Sequence, residues 1–149
     1  MTLEHGDIWS VFKKTGLFLF TANGDVNSRE ELVMGRGMAL EVKDRCPGVA
    51  LWFGMRSKAN PGWCLLIYSP KPSYGGPIQP IGAFRVKYHW YEPANLALIM
   101  KATTELVTHA PEYDRIDLNF PGIGNGRLQR ADVLPIVSAL PDNVHIWER

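Results

Sequence analysis

Ile116-Asp117-Leu118-Asn119-Phe120 runs without pause into Pro121-Gly122-Ile123-Gly124-Asn125-Gly126. The first part is a short apolar run that reads as a strand. In the second, three glycines in six residues let the backbone turn tightly and bare its N–H groups. A helical pattern follows and ends at Leu140. A glycine turn between strand and helix can hold an anion on its backbone donors, with help from the helix N-terminus, or it can be an ordinary turn. The chain carries a second such turn. Met34-Gly35-Arg36-Gly37-Met38-Ala39 opens another helix, and two opposed sets of donors suit the several oxygens of a diphosphate. Neither turn ends in the Lys-Ser/Thr of a P-loop, and neither is a GxGxxG fingerprint.

Outward from this junction, strands and helices alternate. Upstream, the segment from Pro93 to Ala110 is an amphipathic helix pattern starting near its proline, with Leu96, Ile99, Met100, Thr103, Leu106, Val107 and Ala110 as the buried stripe. Pro111 stops it. Residues Ile81 to Val86 read as a strand ending at Lys87-Tyr88-His89-Trp90, and Trp63 to Tyr68 as another. Lys71 to Pro77 is a loop or hairpin tip. Leu17-Phe18-Leu19-Phe20-Thr21 is continuously apolar, as in a strand covered on both faces. It enters a turn, Ala22-Asn23-Gly24-Asp25, and then a polar surface loop from Asn27 to Glu31. Met38, Ala39, Val42 and Cys46 share one helical face, with Glu41, Lys43, Asp44 and Arg45 outside; Pro47-Gly48 ends that helix. Val49 to Met55 reads as a short helix. Leu3-Glu4-His5 is an opening strand with Gly6-Asp7-Ile8 at its end. Downstream, Asp132 is expected to cap the last helix, placing Pro135 in its first turn. Val133, Leu134, Val137 and Leu140 face inward, and Val144 to Trp147 is a closing strand.

This alternation predicts an α/β layered domain with a largely parallel sheet. Ligands of such sheets sit beyond the carboxyl ends of the strands. Asn23, the Lys87 to Trp90 segment and the Pro121 to Gly126 loop each follow a strand, which points to one shared site.

The bulk properties narrow the setting. A chain of 149 residues, 46% hydrophobic and 21% charged, is expected to form a single domain over 1–149. Its net charge of +1 gives no global pull toward nucleic acid or membrane. No apolar run has the length to span a bilayer, and the first residues lack the pattern of a signal peptide. Cys46 and Cys64 do not make a disulfide framework, so reduced thiols in a cytoplasmic protein are expected. Four scattered histidines and no zinc-type spacing give no expectation of a metal.

Five segments taken in order, Gly6-Asp7-Ile8, Thr21-Ala22-Asn23, Met34 to Leu40, Val86 to Trp90 and Pro121 to Gly126, resemble the motifs of a macrodomain. The resemblance covers nearly the whole chain. Within the family it points to the branch that includes terminal ADP-ribose glycohydrolases and the antitoxin macrodomains that strip ADP-ribose from DNA. It implies a three-layer α/β/α fold around a central mixed, largely parallel sheet. It implies ADP-ribose or an ADP-ribosylated macromolecule as ligand, no cofactor, and hydrolysis of ADP-ribosyl linkages on protein or DNA.

The resemblance also assigns roles. Asp7 would accept a hydrogen bond from the adenine amino group, with Ile8 beside it; a turn or cap residue is the other reading of Asp7. Thr21 leads to Asn23, which would face the distal ribose, although by itself it reads as a turn residue before Gly24. Gly35, Arg36, Gly37, Met38 and Ala39 would form the first phosphate loop. Pro121, Gly122, Ile123, Gly124, Asn125 and Gly126 would form the second. Trp147 would pack on adenine or serve as a core or edge aromatic. Lys87 stands where this branch keeps its catalytic lysine; otherwise it is a snorkelling surface lysine. A desolvated lysine can act on the anomeric carbon of a ribose or hold a developing charge there. His89 is a proton donor or acceptor, or a structural histidine.

The chain also departs from the pattern. Gly126 is followed directly by Arg127-Leu128-Gln129-Arg130, where one subgroup carries a catalytic aspartate. Residues Asp25 to Glu31 are inserted after Asn23, and Asp25, Glu30 and Glu31 are candidates to fold back as a replacement acid. Three functions follow: a hydrolase, a non-catalytic reader or scavenger of ADP-ribose or a related nucleotide, and a nucleic-acid module contacting DNA through Arg127, Arg130, Lys87 and Trp90.

Overall fold

The structure, a computed structural model, describes residues 1–69 and 79–149. The loop expected from Lys71 to Pro77 lies outside the described residues. Six strands, β1 (Thr2–His5), β2 (Leu17–Ala22), β3 (Leu65–Tyr68), β4 (Ile81–Arg85), β5 (Ile116–Asn119) and β6 (Val144–Glu148), form one sheet in the order β1-β6-β5-β2-β4-β3. Every neighbouring pair is parallel except β3 with β4, so the sheet is mixed and largely parallel, as expected.

The central strand explains the layering. Along β2, Leu17 and Leu19 point into one core and Phe18 and Phe20 into the other, and all four are fully buried. That is the continuous apolar run of a strand covered on both faces. Helices α1 (Gly37–Arg45) and α2 (Val49–Ala59), with a 3-10 turn at Ile8–Val11, pack on the phenylalanine side. Helices α3 (Leu96–His109) and α4 (Arg130–Val137) pack on the leucine side. The glycine that interrupts β4 has a steric cause: a Cβ on Gly82 would lie 2.4 Å from Leu19 Cδ2.

Two helix starts differ from the expectation. Pro93 lies outside α3, which begins only after Asn95, whose side chain caps it by accepting from Leu98 N at 3.1 Å. The preceding N–H groups are drawn elsewhere, Ala94 N to Gly126 O and Asn95 N to Val86 O, both at 2.8 Å. The buried stripe of α3 is Leu98, Ile99, Ala102, Thr103 and Leu106, while Met100 and Val107 are exposed. Helix α4 begins at Arg130 with Gln129 in the cap position. Asp132 is therefore in its first turn, and Pro135 falls in the second turn instead of the first. Among the described residues, no helix is long and apolar enough to cross a membrane.

The register shows where the sheet opens. β2 pairs with β4 as far as Ala22 opposite Arg85, but with β5 only as far as Leu19 opposite Leu118. Beyond that point, Asn119 replaces the ladder. Its Oδ1 accepts from Thr21 N at 3.1 Å, and its Nδ2 donates to Thr21 Oγ1 at 2.9 Å. The cleft between the glycine turns forms over this split, at the carboxyl ends of the parallel strands.

Candidate functional site

A cavity of about 690 Å³ occupies that edge. Ile8, Thr21, Asn23, Lys87, Trp147, residues Gly35 to Ala39 and residues Gly122 to Gly126 all line it. The two glycine turns meet within it. A Cβ on Gly37, whose φ is +57°, would lie 2.9 Å from Asn125 Nδ2. Only glycine permits that approach with that backbone.

Each turn leaves donors free toward the cavity. In the first, Arg36 occupies the cap position without a side-chain cap bond, and Leu40 N makes the first helical bond, to Arg36 O at 3.3 Å. The N–H groups of Gly37, Met38 and Ala39 precede it and have no helical acceptor. In the second turn, Gly126, Arg127 and Leu128 donate back to Ile123, Gly124 and Gly122. Among the described residues, no acceptor takes the N–H groups of Gly124 and Asn125. The helix-start donors and the second-turn donors thus face one cavity, a ready site for an anion.

Lys87 leaves the end of β4 and spans to the second turn. Its Nζ donates to Asn125 O at 3.1 Å and to Trp90 O at 3.4 Å. It has no carboxylate partner among the described residues. Burial lowers its pKa from the ordinary lysine value, and the neighbouring Arg127 and Arg36 cations lower it further. Arg36 also lies over the Trp90 ring, 5.7 Å from its centroid.

Three expected site residues do not line the cavity. The Asp7 side chain caps the 3-10 turn, accepting from Trp9 N at 3.0 Å. Pro121 is buried beneath the second turn. His89 is turned outward, its Nδ1 2.7 Å from Asp25 Oδ1 and its ring stacked on Tyr91 at 5.3 Å. The hydrogen bond to Asp25 raises the pKa of His89. Asn23 does line the cavity, but its amide is used locally. Its Oδ1 accepts from Asp25 N and its Nδ2 donates to Val33 O, each at 3.0 Å. Trp147 lines the cavity beside Gly6, and its Nε1 donates to Asp117 Oδ1 at 2.7 Å.

The acids separate clearly. Glu30 pairs with Lys58 at 2.9 Å and Glu31 bonds Asn27, so neither reaches the site. Asp25 does fold back, onto His89 and onto Trp90 N at 2.8 Å. The acids lining the cavity are Glu41 and Glu148. Burial would raise the Glu41 carboxyl, but hydrogen bonds from Arg149 and Trp9 carry it below its ordinary value. The Glu148 carboxyl is lowered by its bond to Arg130. That pairing draws Arg130 into the frame of the fold, where it also lies over Phe120.

Sequence reasoning missed Asn119 and Glu41. Asn119 offers one signal, a polar residue at the end of a buried strand next to a glycine turn. Glu41 offers none, because its partners Trp9 and Arg149 come from distant parts of the chain. Among the described residues, no group of three histidines, cysteines or acids is placed to hold a metal.

This arrangement of sheet, paired glycine turns and strand-end cleft is the macrodomain fold. By sequence, no family model matches the chain and no curated protein does. Solved structures do. The macrodomain of Mycobacterium tuberculosis DarG is 25% identical, with a TM-score of 0.75 over 99% of this chain and 97% of that one. The macrodomain of Thermus aquaticus DarG is 21% identical, with a TM-score of 0.73 over 98% and 95%. Thermosipho africanus DarTG, solved in complex with ADP-ribose, is 20% identical with a TM-score of 0.79; the match covers 99% of this chain and 41% of that one.

Proposed function

We propose that the chain binds ADP-ribose in this cleft and hydrolyses an ADP-ribosyl linkage on protein or DNA. The likeness to part of Thermosipho africanus DarTG, solved in complex with ADP-ribose, supports the binding. The paired sets of free N–H groups would take the diphosphate. Ile8 and Trp147 would flank the adenine, and Thr21, Asn23 and Lys87 would stand at the distal ribose.

The observation that carries hydrolysis is the state of Lys87. It is held at the cleft by two carbonyls, unpaired with any described carboxylate, and its pKa is lowered by burial. A neutral amine can add to the anomeric carbon as the bond to the carrier breaks, with water then releasing ADP-ribose from the lysine; an ammonium can instead hold charge as the carrier departs and water adds. Positioning of the scissile bond by the two turns supplies much of the remaining rate. Lys87→Ala is expected to slow release of ADP-ribose from modified protein or DNA by about 100-fold or more, the scale of a lost general acid–base or charge-stabilising group. Affinity for free ADP-ribose should stay within about threefold, since the phosphate donors are backbone groups. Undiminished release by Lys87→Ala would sink the mechanism.

A second reading, a non-catalytic reader or scavenger, is favoured by the acids. Both carboxylates lining the cavity are tied to arginine, and His89 faces away. It predicts calorimetric binding of ADP-ribose by the wild type with no release from either modified substrate.

A further inference from the structure

Asp25 lies in the segment inserted after Asn23, and that segment is tied to its surroundings at several points. Val33 N donates to Asp25 O, and Leu32 N donates to Ala50 O, both at 2.9 Å. Leu32 is buried, and the chain at Glu30 packs so closely on α2 that a Cβ on Gly54 would lie 2.0 Å from Glu30 O. The Asp25 carboxylate divides its oxygens between two donors on one turn. Oδ1 meets His89 Nδ1 at 2.7 Å, and Oδ2 accepts from Trp90 N at 2.8 Å. The carbonyl of the same Trp90 accepts from Lys87 Nζ.

We propose that Asp25 is a positioning residue for Lys87. Its carboxylate fixes the Trp90 backbone, and the Trp90 carbonyl in turn holds the Lys87 amine against the second glycine turn. The proposal rests on the reading of Lys87 given above. Lysine is a flexible four-carbon stem carrying rotatable donors, and it loses its rotamer freedom only where fixed acceptors wait for it. One of its two acceptors is Asn125 O, which belongs to the turn that holds the ligand. The other is Trp90 O, on an exposed turn whose N–H is fastened by Asp25. Asp25 does not line the cavity, and each of its oxygens already has a donor. It therefore takes the place of the acid missing after Gly126 by shaping the lysine turn, without exchanging protons with the substrate.

The test compares wild type, Asp25→Ala and Asp25→Asn in three measurements: the side-chain resonance of ¹³C-labelled Lys87, assigned by its loss in Lys87→Arg; the calorimetric affinity for ADP-ribose; and kcat and KM for release from an ADP-ribosylated substrate. In Asp25→Ala, the Lys87 resonance should move toward that of exposed lysines and titrate at higher pH. kcat should fall about 10-fold or more, as expected for a misplaced reacting group. KM and ADP-ribose affinity should stay within about threefold. Asp25→Asn has a single acceptor oxygen for two donors, so it should fall between the two, and it carries the test if the alanine variant fails to fold. An unmoved Lys87 resonance in a folded Asp25 variant overturns the proposal, as does an unchanged kcat. A wild type that binds but does not turn over, with Lys87 still displaced by Asp25→Ala, overturns the hydrolase reading and leaves the positioning role standing.

Discussion

At the scale of single residues, Lys87 is a cation set among cations, with Arg36 and Arg127 near it and two backbone carbonyls as its acceptors among the described residues. Its pKa is lowered, so between that value and the ordinary lysine value the unfolded chain binds more protons than the folded one. Stability of the free protein therefore rises with pH across this window, and Lys87→Met should remove that slope in denaturant unfolding. Asp117 presents the opposite case, a fully buried carboxylate that accepts from Trp147 Nε1 and from Arg115 Nε and Nη2. Asp117→Ala strands those donors and should cost about 2 kcal/mol of unfolding free energy, and Asp117→Asn, which keeps an acceptor, about 1 kcal/mol. Lys87 was singled out by the likeness of its segment to one that carries a catalytic lysine; from the residues alone, a lysine at a strand end reads as a snorkelling surface lysine. The role of Asp117 was not legible, because its partner Trp147 lies on β6 and strand pairing brings it to β5 only in the folded sheet.

At the scale of elements, the two glycine turns could be read from sequence because glycine is what their backbone demands. Gly122 has φ +82°, and a Cβ there would lie 2.8 Å from Ile99 Cδ1 and 2.9 Å from Leu128 Cδ1. Gly124 has φ +64° with open space around it. Both Gly→Ala changes incur the left-handed backbone cost of about 1–2 kcal/mol, but only Gly122→Ala adds a steric clash. Gly122→Ala should therefore unfold at clearly lower denaturant concentration than Gly124→Ala. The helix boundaries were less legible for a physical reason. Pro93 satisfies the local rule for a helix start, yet Asn95 stands extended as the cap of α3, and the N–H groups of Ala94 and Asn95 bond Gly126 O and Val86 O. Those same bonds tie the start of α3 to the second turn and to the end of β4, so the helix helps fix the site that it does not line.

At the scale of the molecule, alternation of strands and helices revealed a parallel sheet, but not its order or the early parting of β2 from β5. Strand order depends on long-range register, and the parting depends on Asn119 bonding Thr21 in place of the ladder. Charge shows a similar gap between composition and arrangement. A net charge of +1 predicts no general attraction to nucleic acid. The fold nevertheless sets Arg36, Lys87 and Arg127 together at the cleft, next to Trp90 and Tyr91, which are 47% and 63% exposed. Exposed aromatics offer stacking surfaces to bases, and the arginines offer counter-charges to phosphates. If the carrier of the ADP-ribosyl group is single-stranded DNA, two arginines contacting two phosphates add a slope of about −1.4 to log K against log salt. Free ADP-ribose carries no flanking phosphates, so it supplies the baseline. Binding of an ADP-ribosylated oligonucleotide should therefore depend more steeply on salt than binding of ADP-ribose, and Arg36→Gln with Arg127→Gln should bring the two slopes together. Equal slopes in the wild type would show that the rim touches nothing beyond the nucleotide and would turn the substrate assignment toward modified protein.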